Sequence, residues 1–170
     1  MAQKAIGPAF GAELMAAAVS LEGYSWGADG TITFNDEVTQ ATRDQVAAVL
    51  AAHDPTRIPV AQQLAAKLAA GCAITSAASP QLNASYPLDP QTLLEIVGVQ
   101  EGVTSGRGLP GGLSTVPFLD TSGNVHNMVV ADFTNWAAAI RDYVAALQAV
   151  ARALAGGQQV AWPAQPVGIP

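Results

Sequence analysis

Hydrophobic and polar positions follow two different periods along this chain, and the longest continuous pattern covers residues 111–156. Residues 114–130 alternate between apolar and polar side chains around a central Thr-Ser-Gly-Asn turn, which predicts a β-hairpin. A period of three to four residues follows over positions 131–155 and predicts a long amphipathic helix. The apolar face of this helix is wide and consists of Phe133, Trp136, Ile140, Val144, Leu147, Ala151 and Leu154.

The remainder of the chain predicts shorter elements, in which a small ribbon of strands is followed by a helix. Asp89 and Pro90 form a strong helix start, because aspartate caps the free N–H groups and proline fits the first helical position. Gly71 suits the left-handed end of the preceding helix. The predicted helices are 9–21, 39–52, 59–71 and one that begins at Pro90, and the predicted strands are 24–26, 31–34, 72–75 and 84–86.

The sequence therefore predicts an α+β fold in which several short β-hairpins alternate with helices, with one long C-terminal helix at 131–155. Glycine and proline make 104–112 a loop. The last nine residues contain three prolines and are predicted to form an extended tail that is neither helical nor in the middle of a sheet. We divide the chain into a helix-hairpin-helix module (1–55), an α+β domain (56–157) and the tail (158–170).

Composition limits the possible partners. The 170 residues carry seven Lys and Arg against thirteen Asp and Glu, a net charge of −6, and the basic residues are scattered. Because binding to a phosphate backbone needs clustered cations, we expect no nucleic-acid partner. No stretch is apolar enough to predict a membrane span. Only 12% of the residues are charged, so the exterior is expected to favour association with other proteins.

Two glycine-containing motifs look like ligand sites but predict turns. The segment Gly106-Arg-Gly108-Leu-Pro-Gly111 has the letters of the dinucleotide fingerprint, but that motif must follow a buried strand and open a helix, and here a hairpin follows. The segment Asp120-Thr-Ser-Gly-Asn124 begins like a calcium loop but lacks the downstream bidentate glutamate. We therefore predict no cofactor and no metal.

The titratable side chains offer little catalytic chemistry. His53 and Asp54 are adjacent at a helix end, where their side chains point apart, so His53 is expected to interact with the helix dipole. His126 has no second histidine at ligand spacing and is predicted to be a packed or hydrogen-bonded core residue. Cys72 is the single cysteine, which excludes an internal disulfide, and is expected to be a small buried hydrophobe. We predict that the chain is not an enzyme.

Seven segments resemble proteins of tailed bacteriophages. Residues 12–14 (AEL), 24–34 (YSWGADGTITF) and 46–55 (VAAVLAAHDP) resemble the opening module of small tail and tail-fibre-associated proteins. A similar, uncharacterised domain of those proteins matches residues 65–76 (AAKLAAGCAITS), 108–112 (GLPGG), 133–136 (FTNW) and 142–144 (DYV). The resemblance covers most of the chain, but it involves packing and turn residues and supplies no catalytic residues. It implies a component of the virion tail or a protein that acts in tail-fibre assembly, made in the bacterial host cytoplasm.

Three functions follow from these observations. The first is a non-enzymatic virion structural protein of the tail fibre, baseplate or tail accessory apparatus, docking through the apolar helix face and extended terminal arms. The second is a fibre-assembly chaperone that is absent from the mature particle. The third is recognition of a host receptor or glycan by exposed aromatic residues. The heptad-like helix face also favours a homo-oligomer, with a trimer suspected, although a monomer with that face buried fits equally well. The residues predicted to contact partners are Trp136, Ile140, Val144, Leu147, Trp162 and Ile169.

Overall fold

The computed structural model describes residues 4–170, which form two compact units, 4–62 and Gln63–Pro170. Helices and short strands are mixed in both units, so the predicted α+β class is confirmed. The last thirteen residues, predicted as a separate tail, belong to the second unit. Within the described residues, no helix has the length and apolar character needed to cross a membrane.

The first unit is built from two helices and one ribbon. Its ribbon pairs Tyr24 with Phe34 and Trp26 with Ile32, as the Asp29-Gly30 turn predicts, and Gly30 has the required positive φ of 92°. The first helix stops at Ala16, five residues before its predicted end at 21, because the chain reverses at Ala18, where φ is 55°. Its elements are α1 (Phe10–Ala16), β1 (Tyr24–Trp26), β2 (Ile32–Phe34) and α2 (Gln40–Ala52).

A buried histidine holds the beginning of the described chain against the end of α2. The His53 ring Nε2 accepts a hydrogen bond from the Gly7 backbone N–H at 2.8 Å, and Nδ1 lies 2.6 Å from Glu13 Oε2. An acceptor at Nε2 leaves the proton on Nδ1, where it is donated to the carboxylate. The prediction that His53 acts through the helix dipole is therefore wrong. Its side chain is fully buried and binds two segments more than 39 residues away.

The core of the first unit surrounds Phe10. Its ring contacts Trp26 edge to face, with 5.4 Å between ring centroids, and contacts the His53 ring at 5.2 Å. Leu14 and Val46 are fully buried beside it. Trp26 is therefore a packing residue of the first unit.

The second unit contains a three-stranded sheet and a separate hairpin. Strand β3 is central in the sheet, antiparallel to β4 and parallel to β7. The hairpin pairs β5 with β6, with Val116 opposite Met128 and Leu119 opposite Val125, as the alternation over 114–130 predicts. The elements that follow α2 are α3 (Val60–Ala69), which begins just before the unit boundary, β3 (Cys72–Ser76), β4 (Ala84–Tyr86), α4 (Pro90–Thr104), β5 (Val116–Leu119), β6 (Val125–Met128), α5 (Val130–Ala155) and β7 (Val167–Ile169).

The helix signals in this unit correspond to real caps. Asp89 Oδ1 accepts hydrogen bonds from the backbone N–H groups of Gln91 (2.9 Å) and Thr92 (3.0 Å), and α4 continues past Gly98 to Thr104. Gly71 follows α3 and has a φ of 77°, the left-handed conformation predicted for the end of this helix. It lies beside the Tyr86 carbonyl. The loop predicted at 104–112 begins at Ser105 and includes a single 3-10 turn at Pro110–Gly112.

Helix α5 spans 26 residues, and its apolar face forms the centre of the second core. It packs against β3, β6, β7 and α4. Trp136 is the largest fully buried side chain and contacts the rings of Tyr86 at 5.0 Å and Phe118 at 4.6 Å. Because this core uses the face that the heptad-like spacing made available for a trimer, that face is not a free seam for self-association.

The C-terminal helix is not the last element, and the Pro-rich tail is not free. Residues after α5 turn back and end in β7, which pairs with β3 at the edge of the sheet. Gln165 strengthens this return, because its side chain accepts from the Ala73 N–H at 3.1 Å and donates to the Gly71 carbonyl at 3.0 Å. Ser76 Oγ also donates to the Pro170 carbonyl at 3.0 Å. Proline restricts the tail to a sheet edge, as predicted, but does not prevent it from pairing.

The N-terminal segment, the other predicted arm, is also held by hydrogen bonds over its described residues. Lys4 Nζ donates to the Ala51 carbonyl at 2.7 Å, and the Ile6 N–H donates to the Ala28 carbonyl at 3.0 Å. Residues 1–3 lie outside the described part of the chain. From Lys4 onward, the prediction of an extended N-terminal arm is therefore wrong for the chain as folded.

Candidate interaction surface

The helix residues predicted to contact partners lie in the core of the chain. Trp136, Ile140 and Leu147 have no exposed surface, and Val144 is half-buried against the same cluster. A partner could reach them only if this core opened. The prediction that α5 docks through this face is therefore corrected, because the chain's own sheet and hairpin already cover it.

The two predicted contact residues of the tail also pack within the second unit. Trp162 is half-buried, and its indole N–H donates to Gln63 Oε1 at 3.1 Å. Ile169 is 9% exposed and belongs to β7. Neither side chain forms an exposed aromatic or apolar platform, so the surface for a partner has to lie elsewhere.

The candidate catalytic residues are held apart in structural positions. Cys72 is fully buried, and burial raises the pKa of its thiol to about 11, so the reactive thiolate is disfavoured. No group of three or more His, Cys, Asp or Glu side chains among residues 4–170 has the geometry to hold a metal ion. Within the loop that resembles a nucleotide fingerprint, Gly108 and Gly111 have positive φ angles, and no strand leads into it.

His126 pairs with the turn of the hairpin. Its Nδ1 lies 2.7 Å from the Gln81 carbonyl and its Nε2 lies 3.1 Å from Asp120 Oδ2. The Tyr86 ring packs edge to face against it at 5.3 Å. The prediction that His126 is packed or hydrogen-bonded is confirmed, but no pattern in the sequence indicates its partners Gln81 and Asp120.

Asp120 organises the turn between β5 and β6. Its Oδ1 accepts from the backbone N–H groups of Ser122 (2.8 Å) and Asn124 (2.9 Å), and its Oδ2 accepts from the Asn124 side chain (2.9 Å). The Asn124 and His126 side chains, with these backbone donors, hold the pKa of the Asp120 carboxyl well below its usual range. The segment predicted as a turn is a turn, and its acidic residue is used to build it.

The lowered pKa of Asp120 makes the stability of the fold depend on pH. Its folded-state pKa lies below the unfolded value of about 3.9, so the stabilisation is fully present above about pH 4 and is lost as the pH falls further. The urea midpoint of Asp120→Asn should therefore lie below that of the natural chain at pH 6, and the gap should narrow below about pH 4. Asp142→Asn is the control, because the Asp142 side chain is 72% exposed. A gap that is unchanged at low pH would contradict this assignment.

The outer face of the hairpin exposes apolar side chains near this turn. Alternation along β5 buries Val116 and Phe118 and turns Pro117 and Leu119 outward. Leu119 is 55% exposed and lies directly opposite Val125, which is 57% exposed. Neighbouring apolar side chains that stay uncovered on a surface are candidates for contact with another protein.

A groove adjoins this ribbon face. It has a volume of about 710 Å³ and lies between the hairpin and the first turns of α4. Pro87 and Pro117 form part of its wall, and carboxylates stand at three positions of the lining. The lining residues are Pro87, Asp89, Thr92, Glu95, Pro117, Phe118, Leu119, Asp120, Thr121 and Val125. We call the groove and the ribbon face beside it the hairpin groove.

No protein-family model, no curated protein and no solved structure matches this chain. Its function therefore has to be argued from the chemistry of the surface and from the resemblance described above.

Proposed function

We propose that this chain is a non-enzymatic structural protein of a phage virion tail, in the fibre, the baseplate or an accessory position. In this proposal it is made in the bacterial cytoplasm and binds another tail subunit through the hairpin groove. The observation that carries the proposal is the pair of outward apolar side chains, Leu119 and Val125, beside a groove with an apolar wall. The sequence resemblance supplies the virion as the setting.

The groove suits a protein better than a reacting small molecule. Two of the three acidic residues in its lining already serve as hydrogen-bond acceptors, since Asp89 caps α4 and Asp120 holds the hairpin turn. The nearest histidine, His126, has both ring nitrogens engaged. A nucleophile paired with a free base is what acid–base chemistry needs, and these engaged groups do not provide it. Exposed apolar area next to a concave wall instead favours contact with another polypeptide.

Removal of the apolar pair is expected to prevent incorporation into particles. In the double variant Leu119→Ser, Val125→Ser, the chain should fold, since both side chains are exposed, but its amount per particle should fall about ten-fold or more. Quantitative mass spectrometry of purified particles gives this number. It also separates the proposal from the alternative of an assembly chaperone, which would be missing from particles made with the natural chain.

A matched control is available on α4. Leu94 and Val97 are 67% and 60% exposed, and neither lines the groove. The double variant Leu94→Ser, Val97→Ser removes a similar apolar area and should be incorporated normally. Equal loss in both double variants, or full incorporation of the hairpin variant, would contradict the proposal.

A further inference from the structure

The hairpin groove combines an apolar floor with a rim of one charge sign. Leu119, Val125 and Pro117 supply apolar surface, while Asp89, Glu95 and Asp120 supply carboxylates. None of the lining residues is a lysine or an arginine. Across the described residues, no Lys or Arg forms an ion pair with any of these three carboxylates. Asp120 pairs with His126 and its side chain is largely buried, so the negative potential that no cation of the chain neutralises comes from Asp89 and Glu95.

The three carboxylates differ in how much of their hydrogen-bonding capacity is already used. Asp120 accepts three hydrogen bonds from the turn and a fourth from His126, and Asp89 accepts three from the start of α4. Glu95 has a single contact, a 3.3 Å hydrogen bond from the exposed Gln91 side chain. Glu95 is thus the group with oxygen atoms free to receive a cation, and the Asp89 carboxylate adds to the negative field around it.

The net charge disfavours a second copy of this chain as the occupant. The whole chain carries −6, and two copies would bring like charges together at an acidic rim. A segment of opposite charge would instead be attracted during approach and aligned in the groove. Charge complementarity therefore selects a different protein with a basic segment.

We propose that the hairpin groove binds an extended, basic and apolar segment of another protein. A lysine or arginine of that segment pairs with Glu95, while its apolar side chains cover Leu119 and Val125. This inference rests on the proposed function and adds the chemistry of the partner to it. Binding by such a segment is expected to be moderate in affinity and sensitive to salt, because the charged contact lies at an exposed rim.

Two labelled synthetic peptides test the chemistry directly. The first alternates leucine with lysine, and the second is identical except that glutamate replaces each lysine. Fluorescence anisotropy with the full chain should show binding of the lysine peptide, weaker binding at high salt, and much weaker binding of the glutamate peptide. Equal binding of the two peptides, or no binding of either, would overturn the inference.

Variants then place the binding at this groove. Glu95→Gln should weaken binding of the lysine peptide about two- to five-fold at low salt. Leu119→Ser should weaken binding of the same peptide about ten-fold. Glu101→Gln on the same helix is the control, because Glu101 is exposed and does not line the groove. An equal effect of Glu95→Gln and Glu101→Gln would show a general charge effect and overturn the placement.

The same variants distinguish failure of this inference from failure of the proposed function. One combination of results would reject only this inference: the double variant Leu119→Ser, Val125→Ser is lost from particles, Glu95→Gln is incorporated normally, and the lysine peptide does not bind. The proposed function would then stand, and the assignment of a basic segment as the partner would be wrong. Sedimentation velocity of the purified chain tests the remaining possible occupant of the groove, a second copy of this chain. A dimer that Leu119→Ser converts to a monomer would show that a second copy fills the groove and would overturn the inference.

Discussion

Gly7→Ala is expected to destabilise the first unit by about 3 kcal/mol, the sum of overpacking and a lost buried hydrogen bond. A Cβ at this position would lie 1.9 Å from the Pro55 carbonyl oxygen and 2.6 Å from its carbon. Both are backbone atoms, so no side-chain rotation can relieve the overlap. Any displacement that does relieve it also moves the Gly7 N–H away from His53 Nε2, which is buried and would be left without its donor.

Gly11→Ala is the matched control and should have the opposite sign. Gly11 lies in α1, and a Cβ there would meet the Trp26 ring at 3.5 Å, an ordinary packing distance. Alanine favours a helix over glycine by about 0.5 to 1 kcal/mol. Urea unfolding monitored by tryptophan fluorescence measures both variants. Equal stability of Gly7→Ala and the natural chain would show that Pro55 does not pack against Gly7 as described.

Trp136→Ala should cost the second unit about 3 to 5 kcal/mol of unfolding free energy, as large-to-small changes of core aromatics do. The Trp136 ring is fully buried at the junction of α5, β4 and the hairpin, in contact with Tyr86, Phe118 and Phe133. Loss of this ring leaves a cavity between three separate elements. Urea unfolding followed by far-ultraviolet circular dichroism should show the loss.

Trp136→Phe separates packing from hydrogen bonding at the same site. The buried indole N–H of Trp136 has no hydrogen-bond partner, so phenylalanine loses ring volume but no hydrogen bond. Removal of an unpaired buried donor also offsets part of the lost packing. Trp136→Phe should therefore retain well over half of the stability that Trp136→Ala loses. Equal losses in the two variants would contradict this account of the site.

Local signals in the sequence were sufficient for most of the elements. The Asp29-Gly30 turn, the Asp89-Pro90 helix start and the alternation around Thr121 each depend on residues within a few positions of one another. Such features are fixed by backbone conformations and caps that particular residues favour. The periodic face of α5 was equally clear, since six of its seven predicted positions from Phe133 to Leu154 pack against or lie within the core.

The sequence could not show what covers that face. The period of a helix indicates that one side avoids water, and a core and an oligomer seam satisfy that requirement equally well. The answer depends on the β7 return, in which Ile74 pairs with Val167 far along the chain. No local pattern encodes that pairing. The contacts of the two histidines could not be predicted for the same reason. His53 contacts Gly7 and Glu13, and His126 contacts Asp120 and Gln81.

The hairpin groove was missed although its signal was present. The alternation that predicts β5 and β6 also predicts which side chains point outward, and Leu119 and Val125 are apolar at outward positions where polar residues are usual. Attention to the exposed side of the hairpin, in addition to the face of the long helix, would have found it. The acidic rim could not be found this way, because Asp89 and Glu95 come from a different element.

The central proposal is that the hairpin groove, and not the α5 face, contacts another protein. Site-specific photo-crosslinking in assembled particles tests it most directly, with a photoreactive amino acid replacing Val125 in one preparation and Val97 in the other. The two positions are 57% and 60% exposed, so accessibility is matched. We predict that the probe at 125 crosslinks to one virion protein, at a segment rich in lysine or arginine, and that the probe at 97 does not. Crosslinking from 97 alone, or from neither position in particles that contain the chain, would contradict the claim.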